Sequence, residues 1–349
     1  MTKIVNCGGV KIGGGAPISI QSMTNVDTAD IPAAENQIKR LREAGCQIVR
    51  LAVPDMESAE ALRILKQTAG VPLVADIHFD HRLALAAIRF GADKIRINPG
   101  NIGSKEKVRQ VADAATAAGI PIRVGVNSGS LEKDILEKYG GPTAEGLAES
   151  VLRNTELLED MGFHDIVVSL KSSNVKMNHN AYKLVAAQTD HPLHIGVTEA
   201  GTILRGKIKS AAGIGALLLE GIGDTMRVSL TADPVEEVMF AKDLLAALGL
   251  QESGFDLVSC PTCARTSVDL ETIALEIESE LAALHMEKDK KMKIAVMGCA
   301  VNGPGEAKDA DLGVACGDGK GVIFSKGEII KTVAEHEIAR EIIRMVKRG

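Results

Sequence analysis

The chain has 349 residues, a net charge of −6 and 45% hydrophobic residues, a composition typical of a folded soluble protein rather than a disordered one. It has no tryptophan, two tyrosines and six phenylalanines. Single-stranded nucleic acids need aromatic stacking platforms and duplexes need a basic field, so we expect no nucleic-acid partner. Six cysteines are too few for a disulfide scaffold.

The start of the chain has no apolar run of signal-peptide length. The most apolar segment, 214–219, is far shorter than the roughly 18 residues that a membrane helix needs. We therefore expect a cytoplasmic protein with no membrane partner. Thiols stay reduced in that compartment, so clustered cysteines there indicate metal binding or catalysis.

A repeating pattern of short apolar runs and helical stretches fills the first 250 residues. Residues 3–15 alternate and end in three glycines, which predicts a hairpin that plugs the bottom of a barrel. Eight apolar runs then follow, as is typical of parallel strands buried on both faces: 17–24, 47–53, 72–78, 94–99, 121–127, 165–171, 193–199 and 225–231. Helical patterns between them include 33–44, 58–68, 105–118, 145–161 and 234–248.

Eight such units over residues 1–250 predict a closed (β/α)8 TIM-like barrel. An open doubly wound sheet is the alternative, but it would carry a glycine-rich phosphate turn after its first strand, where this chain has Gln21-Ser-Met-Thr-Asn25. Residues 254–349 are predicted to form a second, small α+β domain. Its predicted strands are 257–260, 293–297, 312–315, 321–324 and 329–332, and its predicted helices are 270–284 and 338–346.

Charged and polar side chains gather where the predicted barrel strands end, which is the face that carries function in such barrels. Pairs two residues apart point to the same face of a strand, as Arg96 and Asn98 do. The cations at these strand ends are Arg50, Arg96, Arg123, Lys171 and Arg227. The accompanying polar residues are Asn98, Asn127 and Ser229, and the candidate acid and base groups are Asp76, His78 and Glu199.

Inward-facing cations are costly unless they are paired or hold an anion. Guanidinium forks match phosphate oxygens, so this set predicts a multiply charged substrate, most simply a diphosphate. The alternative is a set of internal ion pairs with Asp76 and Glu199. Two carboxylates cannot neutralise five cations, which favours the anion site.

Three of the six cysteines, Cys260, Cys263 and Cys299, fall in one stretch of the second domain. Cys260 and Cys263 form a Cys-x-x-Cys pair, and Cys299 lies on a glycine- and proline-rich loop that ends at Glu306. Structural zinc would need a fourth ligand, for which Cys316 and His285 are available without a second motif. A [4Fe–4S] cluster with a non-thiolate fourth ligand is the competing interpretation.

The residue chemistry alone leaves iron–sulfur and zinc open. A thioredoxin-like role for the Cys-x-x-Cys pair is weaker, because it leaves Cys299 without a function. Cys7, Cys46 and Cys316 are expected to be small core residues.

Six motifs together resemble those of the bacterial 4-hydroxy-3-methylbut-2-enyl diphosphate synthases, over essentially the whole chain. They are Gln21-Ser-Met-Thr-Asn25, Asp76-Ile-His78, Arg96-Ile-Asn-Pro-Gly100, Gly125-Val-Asn-Ser-Gly129, Cys260-Pro-Thr-Cys263 and Gly298-Cys-Ala-Val-Asn-Gly-Pro-Gly-Glu306. Ala264 departs from the glycine that many relatives have after the second cysteine. The resemblance is to the short two-domain form.

The resemblance implies an iron–sulfur oxidoreductase of the non-mevalonate isoprenoid pathway. The family converts 2-C-methyl-D-erythritol 2,4-cyclodiphosphate to the linear hydroxymethylbutenyl diphosphate, with ring opening and loss of water. It also implies a homodimer, and flavodoxin or ferredoxin as electron donor. A zinc-stabilised barrel lyase or transferase and a non-enzymatic iron–sulfur carrier are the competing classes.

Residue roles carry over by matching motif. The [4Fe–4S] ligands would be Cys260, Cys263, Cys299 and Glu306, with Glu306 a labile ligand that substrate oxygen displaces at the unique iron. The diphosphate ligands would be Arg50, Arg96, Asn98, Arg123, Asn127, Lys171, Arg227 and Ser229. Asp76, His78 and Glu199 would flank the reacting carbons, with Glu199 as proton donor. We expect a hinge near 249–254 to bring the two sites together.

Overall fold

A computed structural model describes residues 1–250, 254–282, 284, 291–299 and 309–348. The chain divides into two compact units, Met1–Leu248 and Gly249–Gly349. Glu306, His285 and residues 251–253 of the predicted hinge lie outside the described residues, so the expectations for them stay predictions. None of the helices in the described part has the length and apolar character that crossing a membrane requires.

The first unit opens with the predicted hairpin, formed by strands β1 (Val5–Cys7) and β2 (Val10–Ile12) in antiparallel pairing. Three of its side chains, those of Val5, Cys7 and Ile12, pack in one cluster with Ile48, Val74 and Val167. These partners lie near the amino ends of three barrel strands. The hairpin therefore covers the bottom of the barrel, as predicted.

Eight parallel strands form the barrel, each beside its neighbour in the chain. They are β3 (Ser19–Met23), β4 (Ile48–Ala52), β5 (Leu73–Asp76), β6 (Lys94–Ile97), β7 (Ile122–Asn127), β8 (Ile166–Lys171), β9 (His194–Gly196) and β10 (Thr225–Arg227). Strand β10 also pairs with β3, and β8 meets β9 through a parallel bridge between Val168 and Leu193. The predicted barrel is confirmed.

The helices surround the barrel and bury their apolar faces against its strands. They are α1 (Ile31–Glu43), α2 (Met56–Thr68), α3 (His81–Arg89), α4 (Pro99–Ile102), α5 (Lys105–Ala118), α6 (Lys133–Tyr139), α7 (Ala144–Glu159), α8 (Val175–Ala186), α9 (Ile203–Leu219) and α10 (Pro234–Ala247). Helix α2 begins where the Asp55 side chain accepts a hydrogen bond from the backbone of Ser58. Helix α5 ends at Gly119, whose φ of +65° is easily reached by glycine.

The second unit contains a five-stranded mixed sheet with the strand order β11 (Gly254–Ser259), β12 (Lys291–Met297), β13 (Leu312–Gly317), β14 (Lys320–Ser325) and β15 (Glu328–Ala334). The first three strands are parallel and the last two pairings are antiparallel. Helices α11 (Leu270–Ala282) and α12 (Ile338–Val346) share the apolar core of this sheet. This arrangement confirms the predicted α+β class.

Candidate active site

A polar cavity of about 170 Å³ opens at the carboxyl ends of the barrel strands. Nine of the predicted site residues line it, namely Arg50, Asp76, His78, Arg96, Arg123, Asn127, Lys171, Arg227 and Ser229. Gly125, Ser169 and Thr198 line it too. The five cations predicted from the sequence therefore do converge on this one cavity, which we call the mouth of the barrel.

The alternation of strand side chains explains this convergence. On β7, Arg123 and Asn127 face the cavity, while Val124 and Val126 pack outward into the core. Each barrel strand thus buries one set of apolar residues against the helices. The other set is free to be polar, which is why charge accumulates inside this barrel.

Asp76 is the carboxylate at the centre of the mouth. Its Oδ1 lies 3.2 Å from Arg96 Nη1 and its Oδ2 lies 3.9 Å from Arg50 Nε. Burial raises the pKa of Asp76, but Arg50, the hydrogen bond from His78, and the charges of Arg96 and Arg123 together lower that pKa well below its usual value. Asp76 is therefore a stable anion that holds two cations in place.

The imidazole of His78 bridges Asp76 and Arg96. Its Nε2 lies 3.4 Å from Asp76 Oδ2, and its Nδ1 lies 3.4 Å from Arg96 Nη1. A guanidinium can only donate hydrogen bonds, so Nδ1 accepts and the ring proton sits on Nε2, where it points to Asp76. The side chain is 54% exposed and so remains open to a ligand in the mouth.

Arg123 and Lys171 are the two mouth cations without an ion-pair partner in the described part of the chain. Among the described residues, no carboxylate comes within ion-pair distance of either side chain. Burial and the charges of neighbouring arginines lower the pKa of both groups well below their ordinary values. Two buried cations in this state form a site that a bound anion would stabilise.

Arg50 shares its guanidinium between a carboxylate and a thioether. Besides Asp76, its Nε lies 3.0 Å and its Nη2 lies 2.8 Å from the sulfur of Met23. Burial lowers the pKa of Arg50 to about 10. A thioether is a weak acceptor, so these donors can be given up to a phosphate oxygen.

The carboxylate beside Arg227 is one that the sequence analysis missed. Glu237 of α10, rather than Glu199, lies 3.2 Å from Arg227 Nε. Glu237 shares the apolar face of α10 with Pro234, Val238 and Ala241. A charged residue at such a position of a predicted helix is the signal that could have identified it.

Glu199 and Asn98, unlike the other predicted residues of the barrel site, are not among the residues that line the mouth. Glu199 follows β9 in an exposed loop with a φ of +50°, a conformation that non-glycine residues rarely adopt. Such strained backbone is concentrated at functional sites. Asn98 is buried, and its side-chain oxygen accepts a hydrogen bond from the Gly100 backbone at the start of α4. Its amide group is the part left to bind a ligand.

A larger, open groove of about 500 Å³ lies in the second unit. Asp269, Glu276 and Glu335 line it together with His336. Its acidic lining would repel a diphosphate, so the barrel mouth is the candidate anion site.

Three of the four cysteines of the second unit, Cys260, Cys263 and Cys299, follow the ends of two adjacent parallel strands, β11 and β12, while Cys316 is buried within β13. The Cys260 backbone continues that pairing through a hydrogen bond to the carbonyl of Val296, and its thiol accepts one from the Gly298 backbone at 3.1 Å. Cys299 follows directly, and Cys263 is exposed on the loop after β11. Cys260 and Cys263 are free thiols. No group of three potential ligands within metal-binding distance occurs among the described residues, which leave out Glu306.

Fold and site together define a (β/α)8-barrel enzyme whose mouth is lined by five cations, followed by a cysteine-bearing α+β unit. The chain belongs to the GcpE family, because the GcpE TIM-barrel domain matches residues 2–242 and the GcpE protein C-terminal domain matches residues 256–348. This confirms the family resemblance seen in the six motifs.

Curated relatives match the chain over its full length. A protein of Caldanaerobacter subterraneus subsp. tengcongensis is 54% identical over 100% of this chain and 97% of its own length. One of Clostridium acetobutylicum is 55% identical over 99% of this chain and 98% of its own. Both are named 4-hydroxy-3-methylbut-2-en-1-yl diphosphate synthase (flavodoxin). The predicted enzyme class and activity are thus confirmed.

Solved structures support the barrel alone. A phospho-2-dehydro-3-deoxyheptonate aldolase from Thermotoga maritima covers 71% of this chain and 75% of its own at a TM-score of 0.52. The two sequences are 14% identical, so the likeness extends to the fold and not to the chemistry.

Proposed function

We propose that the barrel mouth binds 2-C-methyl-D-erythritol 2,4-cyclodiphosphate for its reductive ring opening and dehydration to 4-hydroxy-3-methylbut-2-enyl diphosphate. One observation carries the proposal: five cations line one small cavity, and two of them, Arg123 and Lys171, have no carboxylate partner among the described residues. A cyclic diphosphate would supply the missing negative charge.

The mouth residues divide the work of binding between them. Arg123 and Lys171 bind the diphosphate most strongly, since neither has a carboxylate within ion-pair distance among the described residues. Arg50, Arg96 and Arg227 keep their carboxylate partners and donate through their remaining N–H groups. The side chains of Asn98, Asn127 and Ser229 add neutral hydrogen bonds that orient the substrate.

Asp76, His78 and Glu199 are the proposed catalytic residues, and they have different roles. Asp76 stays ionised because its pKa is lowered well below the ordinary range, so it orients groups rather than donating a proton. The Nε2 proton of His78 is held by Asp76. The exposed Glu199 is the proposed donor of the proton to the oxygen that leaves as water.

A [4Fe–4S] cluster is the proposed cofactor, held by Cys260, Cys263, Cys299 and Glu306. Three cysteine side chains that follow the ends of adjacent strands fit the soft ligand set of such a cluster. The cluster would supply the two electrons of the reduction. The chain's own residues bind and orient the substrate and deliver protons.

The proposed organisation assigns residues 1–250 to the substrate barrel and 254–349 to the cluster domain. The two compact units and the two family matches support this division. A homodimer is proposed from the family resemblance. Flavodoxin is the proposed electron donor, as the relatives' names suggest, with ferredoxin as the alternative. We propose a cytoplasmic location, because a reducing compartment would keep the proposed cysteine ligands reduced, and cell fractionation tests that location.

Anaerobic turnover tests the proposal. The full chain is purified without oxygen and assayed for iron, sulfide and zinc, and then given reduced flavodoxin and the cyclodiphosphate. We expect a brown protein that forms the linear diphosphate and loses activity in air. Stoichiometric zinc with air-stable activity would indicate a zinc barrel enzyme instead. A brown protein that does not bind the cyclodiphosphate would indicate an electron carrier.

A further inference from the structure

Glu237 is a buried carboxylate outside the cavity that nevertheless contacts the substrate mouth. It lies in the first turn of α10, and its side chain is 4% exposed. It is not among the residues that line the described cavity. A carboxylate this deeply buried is stable only when its oxygens are fully hydrogen-bonded.

Each carboxylate oxygen of Glu237 accepts two hydrogen bonds. Oε2 accepts from Ser22 Oγ at 2.8 Å and from Arg227 Nε at 3.2 Å. Oε1 accepts from the Leu230 backbone at 3.0 Å and from Arg227 Nη2 at 3.3 Å. Four donors from three segments of the chain therefore meet at one carboxylate.

Arg227 donates two hydrogen bonds to the Glu237 carboxylate, and such a bidentate contact fixes the plane of a guanidinium. The Nε and Nη2 edge faces Glu237, which leaves Nη1 available to the mouth. Nη1 lies 3.7 Å from the sulfur of Met23, a weak acceptor that a phosphate oxygen would replace. Glu237 thus selects the rotamer in which Arg227 faces the cavity.

The contact with Leu230 fixes a second element of the site. Leu230 directly follows Ser229, which lines the cavity. Since the Leu230 N–H is bound to the same carboxylate, the loop after β10 is tied to the position of Arg227. Ser22 adds a bond from the neighbouring strand β3.

We infer that Glu237 is a positioning residue, which holds Arg227 and Ser229 in the geometry that binds a diphosphate without touching the substrate itself. The inference rests on the proposed function of the mouth. Buried ion pairs add little net stability compared with apolar packing. The value of this one therefore lies in the geometry that it imposes.

A double-mutant cycle tests the inference, with cyclodiphosphate binding measured by calorimetry on the anaerobically purified full chain. The variants are Glu237→Gln, Arg227→Gln and both together, with Glu236→Gln as matched control. Glu236 is adjacent on α10, half exposed and paired with Lys207 instead. We expect Glu237→Gln to weaken binding about tenfold or more, the loss typical of a charge-assisted hydrogen bond.

Positioning through Arg227 predicts that the double variant binds little worse than Arg227→Gln alone. It also predicts a raised KM with kcat nearly unchanged, and a smaller loss in Glu237→Asp, which keeps the charge. Additive losses, or wild-type binding by Glu237→Gln, would overturn the inference while leaving the mouth intact. Wild-type binding by Arg227→Gln would instead overturn the assignment of Arg227 in the proposed function.

Discussion

The guanidinium of Arg96 occupies the space where a side chain at position 125 would be. A Cβ on Gly125 would stand 2.6 Å from Arg96 Nε, and Arg96 Nη2 donates to the Gly125 carbonyl at 3.3 Å. The glycine in this motif therefore has a steric function. It lets an arginine of β6 lie across β7 and reach Asp76.

Replacing Gly125 with alanine should displace Arg96 from Asp76. Buried side chains adjust at a cost of about 1–3 kcal/mol, so we expect a modest loss of stability and a larger loss of cyclodiphosphate affinity. Calorimetry and thermal unfolding measure the two effects. Gly129→Ala is the control, because a Cβ there meets nothing within 4 Å. Equal effects of the two substitutions would contradict the steric role of Gly125.

Lys171→Met should separate stability from binding. Burial, together with the charges of neighbouring arginines, lowers the pKa of Lys171, so its charge destabilises the protein in the absence of ligand. A methionine of similar length should increase the free energy of unfolding by about 1–3 kcal/mol and abolish diphosphate binding. Chemical denaturation and calorimetry measure both.

The stabilisation expected from Lys171→Met should depend on pH in one direction. A lysine whose folded pKa is lowered destabilises the native state below that pKa, and the penalty disappears as pH rises towards its ordinary value of 10.5. The advantage of Lys171→Met should therefore shrink in alkaline solution. Lys176→Met, on the exposed face of α8, should show neither the increase in the free energy of unfolding nor its dependence on pH. A destabilised Lys171→Met that still binds diphosphate would contradict the assignment.

Asp76→Asn should destabilise the barrel, since it leaves Arg50 and Arg96 without their shared counter-charge. Removing one partner of a buried pair costs about 3–5 kcal/mol. Asp76 has a lowered folded pKa, so its contribution is complete above about pH 5 and is lost as pH falls below its ordinary value of 3.8 towards the folded value.

Denaturation curves of wild type and Asp76→Asn over a range of pH test this prediction. The difference in unfolding free energy should be constant near neutrality and should narrow in acid. A difference that grows as pH falls would show that Asp76 is protonated in the native state. Asp55→Asn, at the exposed N-cap of α2, is a comparison carboxylate outside the mouth.

The mouth could be predicted from the sequence because strand alternation is a local property. Once Arg123 is placed inside the barrel, Asn127 follows four residues later on the same face. Glu237 could not be assigned in this way. Its contact with Arg227 depends on how α10 packs against β10, which no spacing within either segment encodes.

Two further residues, Glu199 and Asn98, differ between the sequence prediction and the structure, because their positions also depend on more than the alternation along a strand. The sequence pattern predicts that Glu199 ends a barrel strand, but β9 ends at Gly196, and Glu199 lies beyond it in a left-handed backbone conformation with an exposed side chain. Asn98 lies one residue beyond the end of β6 rather than on the strand, and its side-chain oxygen accepts a hydrogen bond from the Gly100 backbone at the start of α4. Local pattern sets the face on which a residue lies, whereas its partner depends on the turn that follows.

Cys260→Ser should remove the iron and sulfide from the anaerobically purified chain. Its thiol is already oriented towards the β12 end by the Gly298 backbone, so we assign it as a ligand. Metal analysis should find about four irons per chain in the wild type and far fewer in the variant. Cys316→Ala is the control, since burial raises the pKa of that thiol to about 11 and disfavours the thiolate. Equal iron in both variants would contradict the assignment of Cys260.

A crystal structure of the full chain with bound 2-C-methyl-D-erythritol 2,4-cyclodiphosphate tests the central claim most directly. The charge balance of the mouth predicts phosphate oxygens within about 3 Å of both Arg123 and Lys171, with Arg227 still held by Glu237. Diphosphate bound elsewhere, with Arg123 and Lys171 free of it, would contradict the claim that this mouth is the substrate site.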